Sequence, residues 1–285
     1  MTEKITTKTK NTEEIVKGHY AVRDLGANIL AGLKEDGKDL DNIKTTDLAI
    51  VDEFHIGGPA ATQYLISKMQ FSPSDHVLDV GSGIGGAARA IASSIGCKVT
   101  GIDLTPEYVE TARTLSHLTR LDKQVSFKMA SALELPFEDG TFDAAVTLHV
   151  AMNIKDRDAL YREISRVLKP GGRLGIYDVM KRGDEGLEYP VPWAENDQSS
   201  FLASPEQMFK YLENAGFSDI ETDDRSEFAM DYFKRRIAAS SGRKSALGPH
   251  LIMGSSAPKK FQNMQKNMEN GRIAPVLMTA RRSLN

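Results

Sequence analysis

The sequence lacks several features that mark other classes of protein. It has one cysteine, Cys97, in 285 residues, so an intramolecular disulfide and a cysteine-rich zinc site are excluded. It has no run of about 18 apolar residues, which a transmembrane helix would require. Its first residues, MTEKITTKTK, contain no apolar block typical of a secretory signal. These absences predict a cytoplasmic protein with no membrane partner.

An excess of charge of one sign is also missing. Lys and Arg total 36, Asp and Glu total 39, and the formal net charge is −3. A protein that binds nucleic acid through phosphates usually presents a strongly basic surface. The balanced charge therefore predicts a small-molecule partner rather than a nucleic acid. No group of His, Asp and Glu residues has a spacing typical of metal ligands, so we expect no metal.

Hydrophobic residues make up 40% of the chain, which is enough to bury one full core. The length suits one domain with additions. We expect a disordered tail over residues 1–12, because its polar side chains offer little to bury, and a helical cap over 13–70. The remainder, 71–285, is expected to form the main domain, with substrate-recognition insertions at 181–204 and 226–272.

The N-terminal segment carries an apolar stripe at helical spacing. This pattern predicts one amphipathic helix with a single apolar face. Such a helix, if exposed, would offer a surface for a homodimer. The residues of the stripe are Ile15, Val22, Leu25, Ile29 and Leu33.

Further along the chain, short apolar strands alternate with helices. This alternation predicts a parallel sheet covered on both faces, which is a doubly wound α/β fold. The predicted strands cover residues 76–80, 98–104, 125–129, 142–149 and 173–179, with two more near 219–222 and 275–280.

A glycine-rich turn follows the first of these strands and opens a helix. In the sequence DVGSGIGG, from Asp79 to Gly86, main-chain amides and the helix dipole can meet a ligand that approaches the backbone closely. Asp103 ends the next strand, where it is placed to accept hydrogen bonds from a ribose diol. Gly81, Gly83 and Gly86 also satisfy the dinucleotide pattern GxGxxG, so the turn alone leaves a nicotinamide cofactor open.

Asp79 favours a different cofactor. Nicotinamide enzymes usually keep the position two residues before the first glycine apolar, whereas a carboxylate there can face the ammonium group of a methionine moiety. The cofactor most consistent with this turn therefore carries an amino acid as well as an adenosine.

Taken together, these motifs resemble the class I S-adenosylmethionine-dependent methyltransferases. The resemblance covers roughly residues 71–180 and rests on Val77–Gly86, Asp103, Phe142-Asp143 and the segment RVLKPGG at 166–172. It implies a Rossmann-like, seven-stranded, mostly parallel sheet whose last strand is antiparallel, with N-terminal helices and helical insertions forming a lid. It also implies methyl transfer from S-adenosylmethionine to a small acceptor, with S-adenosylhomocysteine as product.

A looser likeness concerns the acceptor. Asp52–Gly58, Leu148–Asn153 and Tyr189–Trp193 look similar to segments of sarcosine and dimethylglycine N-methyltransferases. This likeness slightly favours an amine, and oxygen and carbon acceptors stay open. An NAD(P)-dependent oxidoreductase that shares the glycine turn, and a cofactor-binding module without catalysis, are the alternatives.

The resemblance also predicts which residues bind the cofactor. The glycine turn would lie against the methionine portion, and the acid after the second strand would hold the ribose. At the adenine site, many relatives have an acidic residue where this chain has Ser131, whose hydroxyl is a weaker acceptor. The predicted set is Tyr20, His55, Asp79, Gly81, Ser82, Gly83, Gly85, Asp103, Leu104, Ser131, Ala132, Leu133 and Leu148.

His149 is the predicted catalytic base. It closes the fourth strand, at the sheet edge where open α/β folds place ligands, and its titration range suits proton transfer near neutrality. Alternatively, it shapes the pocket by hydrogen bonding without moving a proton. Asn153, four residues later, either orients the substrate or caps the helix that begins near Asp156.

Three aromatic side chains have two interpretations each. His55 either lies over the cofactor or packs within its own loop. Tyr20 either offers its ring to the sulfonium or is an ordinary core or interface residue. Trp193, the only tryptophan, either builds an aromatic wall for the acceptor or fills the core.

Overall fold

The computed structural model describes residues 12–20, 22–239 and 245–284. The strands are β1 (His76–Val80), β2 (Lys98–Asp103), β3 (Val125–Met129), β4 (Phe142–Leu148), β5 (Leu168–Lys181), β6 (Phe217–Asp224) and β7 (Ile273–Arg282). They form one seven-stranded sheet in the order β3-β2-β1-β4-β5-β7-β6. β7 pairs antiparallel with both of its neighbours, and the strands from β3 to β5 pair in parallel. The predicted fold class is confirmed.

Helices cover both faces of this sheet, and four of the described helices precede β1 in the chain. The first, α1, covers residues 12–20. The others are α2 (Leu25–Glu35), α3 (Thr45–Asp52), α4 (Pro59–Met69), α5 (Gly86–Ile95), α6 (Pro106–Leu118), α7 (Arg157–Val167), α8 (Pro205–Asn214), α9 (Ser226–Ala239), α10 (His250–Met253) and α11 (Ala257–Glu269). None of the helices in the described ranges is both long and apolar enough to cross a membrane.

Local sequence signals explain several helix starts. α4, α6 and α8 each have proline in the first turn, where its missing N–H costs nothing. α8 also has a capping box, in which the Ser204 side chain accepts from Gln207 N and the Gln207 side chain accepts from Ser204 N. The Asp156 side chain accepts from Ala159 N at the start of α7. The alternative that Asn153 caps this helix is therefore wrong.

The single N-terminal helix predicted from the apolar stripe is also wrong. α1 and α2 are separate, and Asp24 between them adopts a left-handed backbone conformation with φ of 55°. Both helices nevertheless pack on one cluster that includes Tyr108 of α6: Leu25 and Ile29 are buried in it, and Tyr20 packs against it while also lining a cavity. Periodicity alone did not reveal the break, because both halves carry apolar residues at compatible spacing.

The sheet separates two layers of core. Val77 and Leu78 are consecutive in β1 and point to opposite faces. Val77 packs in a cluster that contains residues of α4 and α5, and Leu78 packs in a cluster that contains residues of α7 and α8. Because β1, β2 and β4 are parallel, their carboxyl ends meet at one edge, and the loops there surround the candidate site.

The segments after β5 and β6 pack against each other. Val191 and Trp193, which follow β5, belong to one buried cluster with Phe233 of α9 and Met264 of α11. This cluster lies beside the cavity, because Trp193 also lines the cavity. The proposed division into cap, main domain and insertions at 181–204 and 226–272 stays a prediction, and the predicted tail at 1–12 lies outside the described residues apart from Thr12.

Candidate functional site

A cavity of about 1390 Å³ lies at the carboxyl edge of the parallel strands. It is bounded by the glycine turn, α1 and the segment around Trp193. Of the predicted site residues, those that line it are Tyr20, His55, Asp79, Gly81, Ser82, Gly83, Asp103, Leu104, Ala132, Leu133, Leu148, His149, Asn153 and Trp193. Gly85 and Ser131 are not among its lining residues.

The glycines of the turn serve different purposes. Gly83 has φ of +54°, and a Cβ built on it would meet nothing within 4 Å, so this backbone is open to a ligand in the cavity. A Cβ on Gly85 would lie 2.6 Å from the Phe127 ring. Gly85 is therefore required for close packing between α5 and β3, which explains why it does not line the cavity.

Asp79 presents an unused acceptor at this turn. Its side chain is 2% exposed, and its Oδ2 atom is buried with no hydrogen-bond partner among the described residues. Burial and the nearby charges of Glu53 and Asp103 raise the pKa of Asp79 to about 7. A buried carboxylate without a cationic partner is costly, so the arrangement favours a ligand that carries an ammonium group.

Asp103 connects the glycine turn to β2. Its Oδ2 accepts from Gly83 N at 2.9 Å and its Oδ1 from Thr105 N at 2.8 Å. Burial raises its pKa, although these backbone donors oppose the shift. Each carboxylate oxygen can accept more than one hydrogen bond. Asp103 is therefore equipped to accept from a ribose diol while it holds the turn.

A buried ionic group that no sequence pattern predicted lies behind the turn. Arg89 of α5 is fully buried and donates to Asp52 at 2.6 Å and to the Ile84 carbonyl at 2.8 Å. Asp52 lines the cavity, and burial raises its pKa to about 6. The available signal was Arg89 itself, the one charged residue in the small, apolar helix GAARAIASSI.

Glu53 is a second residue that the sequence analysis missed. It accepts from the Thr62 hydroxyl at 2.6 Å, and burial raises its pKa to about 7. The Thr62 oxygen also lies 3.0 Å from His55 Nε2. Because Thr62 has one proton and gives it to Glu53, His55 Nε2 must be the donor in the second contact.

His55 is held within its loop and also reaches the cavity. Its Nε2 lies 3.0 Å from the Gly58 carbonyl, which again requires a proton on Nε2. Burial lowers the pKa of His55 to about 4. His55 is therefore a neutral imidazole that packs within its own loop and also lines the cavity. Its position over the cofactor stays a prediction.

His149 lies beside His55 at the end of β4. Its ring stacks on Tyr177 with a centroid distance of 5.3 Å and meets the His55 ring at 5.9 Å. Its Nε2 atom is buried with no hydrogen-bond partner in the described chain. Burial and the neighbouring His55 lower the pKa of His149 well below its usual value. The imidazole is therefore neutral at pH 7, and it is a weaker base than the near-neutral titration range expected from the sequence.

Asn153 joins three segments around the cavity. Its side-chain oxygen accepts from the Tyr20 hydroxyl of α1 at 3.1 Å. Its amide nitrogen donates to the Trp193 and Ser199 carbonyls, both at 2.8 Å. Trp193 is in turn held by a bond from Nε1 to the Ser200 hydroxyl at 2.9 Å. The amide of Asn153 thus holds α1 and the segment after β5 against the site.

Ser131 contacts α1 rather than the cavity. Its hydroxyl donates to Glu13 and accepts from the Leu133 backbone at 3.1 Å. Glu13 and Leu133 line the cavity, so Ser131 supports two lining residues from behind. Its predicted contact with adenine stays a prediction.

Comparison with known proteins identifies the domain. Residues 78–176 match the family described as a methyltransferase domain. The chain is 36% identical over 137 residues to methyltransferase GfsG of Streptomyces halstedii, covering 48% of this chain and 49% of that one. It is 29% identical over 185 residues to a glycine/sarcosine/dimethylglycine N-methyltransferase of Actinopolyspora halophila, covering 65% and 33%.

A comparison with solved structures finds a similar fold. The solved structure of the [4+2]-cyclase SpnF superposes with a TM-score of 0.63 at 27% identity, covering 79% of this chain and 80% of that one. Three curated relatives are matched over 49%, 60% and 62% of their own lengths. Residues 78–176 of this chain are therefore similar to the methyltransferase domain family, which agrees with the resemblance that the motifs carry.

Proposed function

We propose that this protein transfers a methyl group from S-adenosylmethionine to a small-molecule acceptor. The observation that carries the proposal is the unpartnered, buried Asp79 oxygen beside the open backbone of Gly83, with Asp103 bonded across the same turn. An ammonium group would complete the bonding of Asp79, and a diol would find acceptors at Asp103. The bound cofactor supplies a methyl group activated by a sulfonium leaving group.

The protein's own part in the reaction is alignment and proton acceptance. The cavity wall, which includes Tyr20, Asn153 and Trp193, would enclose the cofactor, exclude water from its methyl group and limit its orientations. His149 is the proposed base, because it lies at the cavity with its Nε2 lacking a hydrogen-bond partner among the described residues. Burial lowers its pKa, so it is a weaker base than an ordinary imidazole but is present in the neutral form that accepts a proton. His55 would hold the loop that completes the wall.

Calorimetric titration tests the proposal directly. S-adenosylmethionine and S-adenosylhomocysteine should give saturable heat with dissociation constants of about 1–100 μM, and NADH should give none. A labelled methyl donor incubated with mixtures of amines, phenols and carboxylic acids should then label an acceptor. Saturable NADH binding, with no heat from either sulfur compound, would instead support the oxidoreductase alternative.

A second candidate is cofactor binding without methyl transfer. The observation that supports it is the 27% identity with a protein described as a [4+2]-cyclase, which has a similar fold and a different reaction in its name. It predicts tight binding of S-adenosylhomocysteine with no methyl turnover on any acceptor. The same labelling experiment therefore separates the two candidates.

We also propose that the protein is cytoplasmic, has no nucleic-acid partner and forms a homodimer. One buried cysteine, Cys97, and the balanced charge support a cytoplasmic protein with no nucleic-acid partner. Ile15 is exposed on α1, which supports a homodimer contact through this helix. Light scattering of the wild type and of Ile15→Lys would test the dimer, since a charge at that contact should yield monomers.

A further inference from the structure

A second, smaller chamber lies behind the wall formed by the two histidines. Its volume is about 270 Å³. Phe54, His55, His149 and Pro192 line both this chamber and the large cavity. These four residues therefore form a shared wall, and the two spaces adjoin at His149.

The chamber is mainly apolar and aromatic. Beyond the shared wall, its lining includes Ile56, Tyr232, Phe233, Phe261 and Met264. Rings of this kind favour the burial of a flat apolar group. At about 30 Å³ per water molecule, the chamber holds the equivalent of roughly nine waters, which is the size of one substituted ring.

The charges around the chamber disfavour an anion. No Lys or Arg lines it within the described part of the chain, and the one carboxylate there is Glu53. His55 and His149 are neutral because burial lowers the pKa of both. An acceptor with a carboxylate or phosphate in the chamber would lose its hydration without gaining a cationic partner.

One polar group awaits a partner at the shared wall. The Nε2 atom of His149 is buried and makes no hydrogen bond to the described residues. In the tautomer that carries its proton on Nδ1, Nε2 would accept from a hydroxyl or amine of a ring bound at the shared wall. The same contact would place the proton to be lost beside the proposed base.

We infer that this chamber is the acceptor site, and that the acceptor is a single-ring molecule with a hydroxyl or amine group and no anionic group. This inference rests on the proposed function, and it specifies the substrate class of that site. The transferred methyl replaces one hydrogen of the acceptor, and the displaced proton passes to His149.

Three probes with the same ring and different charge test the inference. They are 4-methylbenzyl alcohol, 4-methylbenzylamine and 4-methylbenzoate, each titrated into the protein saturated with S-adenosylhomocysteine and observed by saturation-transfer NMR and calorimetry. Saturation with S-adenosylhomocysteine is verified first by calorimetry, so a failure of the proposed function is seen separately. We expect the alcohol or the amine to bind at least tenfold more tightly than the benzoate.

Two matched variants locate the binding. Ala49 lines the chamber from α3, so Ala49→Leu should weaken binding of the favoured probe at least tenfold. Ala60 is exposed on α4 and is not a lining residue, so Ala60→Leu should leave it unchanged. Both should bind S-adenosylhomocysteine like the wild type, which also shows that they fold.

A third variant enlarges the chamber. Met264→Ala removes a side chain from its lining and should improve binding of 2-naphthylmethanol relative to 4-methylbenzyl alcohol. The inference is overturned if the benzoate binds as well as the other probes, if neither the alcohol nor the amine binds to the saturated protein, or if Ala49→Leu has no effect on the bound probe.

Discussion

The Tyr20 hydroxyl donates a hydrogen bond to the side-chain oxygen of Asn153 at 3.1 Å, across 133 positions of sequence. This bond attaches α1 to the segment after β4, and both residues line the cavity. His19, the neighbour of Tyr20, lies 3.1 Å from the Pro192 carbonyl through its Nε2. The position of α1 over the cavity is therefore specified by contacts with residues far away in the chain.

Removing this hydroxyl should loosen α1 and weaken cofactor binding. Tyr20→Phe keeps the ring contacts and loses one neutral hydrogen bond, which contributes about 1 kcal/mol. We expect roughly a fivefold higher dissociation constant for S-adenosylhomocysteine, measured by calorimetry. Tyr64→Phe is the control, because it breaks a 2.6 Å bond to Asp223 outside the cavity. Equal weakening by both variants would contradict a specific role for α1.

The turn offers a pair of glycines with the same backbone constraint and different surroundings. Gly83 and Gly96 both have positive φ, and a Cβ on either would meet nothing within 4 Å, but only Gly83 lines the cavity. Alanine at each site should cost about 1 kcal/mol of stability. We expect Gly83→Ala alone to weaken binding of S-adenosylhomocysteine at least tenfold, because its methyl would occupy ligand space. Similar affinities in the two variants would place the ligand elsewhere.

Asp79→Asn should weaken cofactor binding strongly. A hydrogen bond to a charged group contributes about 1.5–3 kcal/mol, so we expect the dissociation constant at pH 8 to rise roughly 10- to 150-fold. Asp143→Asn is the control, because that carboxylate pairs with Lys169 outside the cavity. If the two variants bind S-adenosylhomocysteine with the same affinity, Asp79 does not hold the ammonium group.

Asp79→Asn should weaken cofactor binding but increase the free energy of unfolding of the ligand-free protein, by an amount that depends on pH. The folded-state pKa of Asp79, about 7, lies above the unfolded value of about 3.9. The folded state therefore holds the proton more tightly, and stability from this group is present below about pH 4 and is lost as the pH rises through 7. We expect Asp79→Asn to gain stability relative to the ligand-free wild type between pH 5 and pH 8, measured by urea unfolding.

The unfolding free energy of Asp79→Asn is compared with that of the wild type because burial also raises the pKa of Glu53. Its contribution is common to both proteins and cancels to the extent that the two groups are independent. A stability difference that stays constant from pH 5 to pH 8 would show that the Asp79 carboxyl titrates near its unfolded value.

His149 should affect turnover more than binding. His149→Gln should lower kcat about 100-fold if the imidazole is the base, with little change in affinity for S-adenosylhomocysteine. His117→Gln is the control, since the His117 side chain is 84% exposed. Because burial lowers the pKa of His149, we expect no loss of kcat from its protonation between pH 6 and pH 8. A fall in the kcat of the wild type below about pH 6.5 that is absent from His149→Gln would contradict this expectation.

Several misses in the sequence analysis have the same physical origin. Gly85 belongs to the recognisable turn, yet its neighbour is Phe127 of β3, which only strand pairing brings close. The ion pair between Arg89 and Asp52 joins residues 37 positions apart. Neither contact has a local pattern, because each depends on how separate elements pack.

Local chemistry in the sequence was enough to determine the alternation of strands and helices, the glycine turn after β1 and the acid at the end of β2. Hydrophobic period, proline at helix starts and glycine at positive φ act over a few residues, so they can be read directly. Tertiary packing alone decided the break between α1 and α2, the bond from Tyr20 to Asn153 and the neutral state of the two histidines. Burial and hydrogen-bond partners set those properties, and both come from residues distant in the chain.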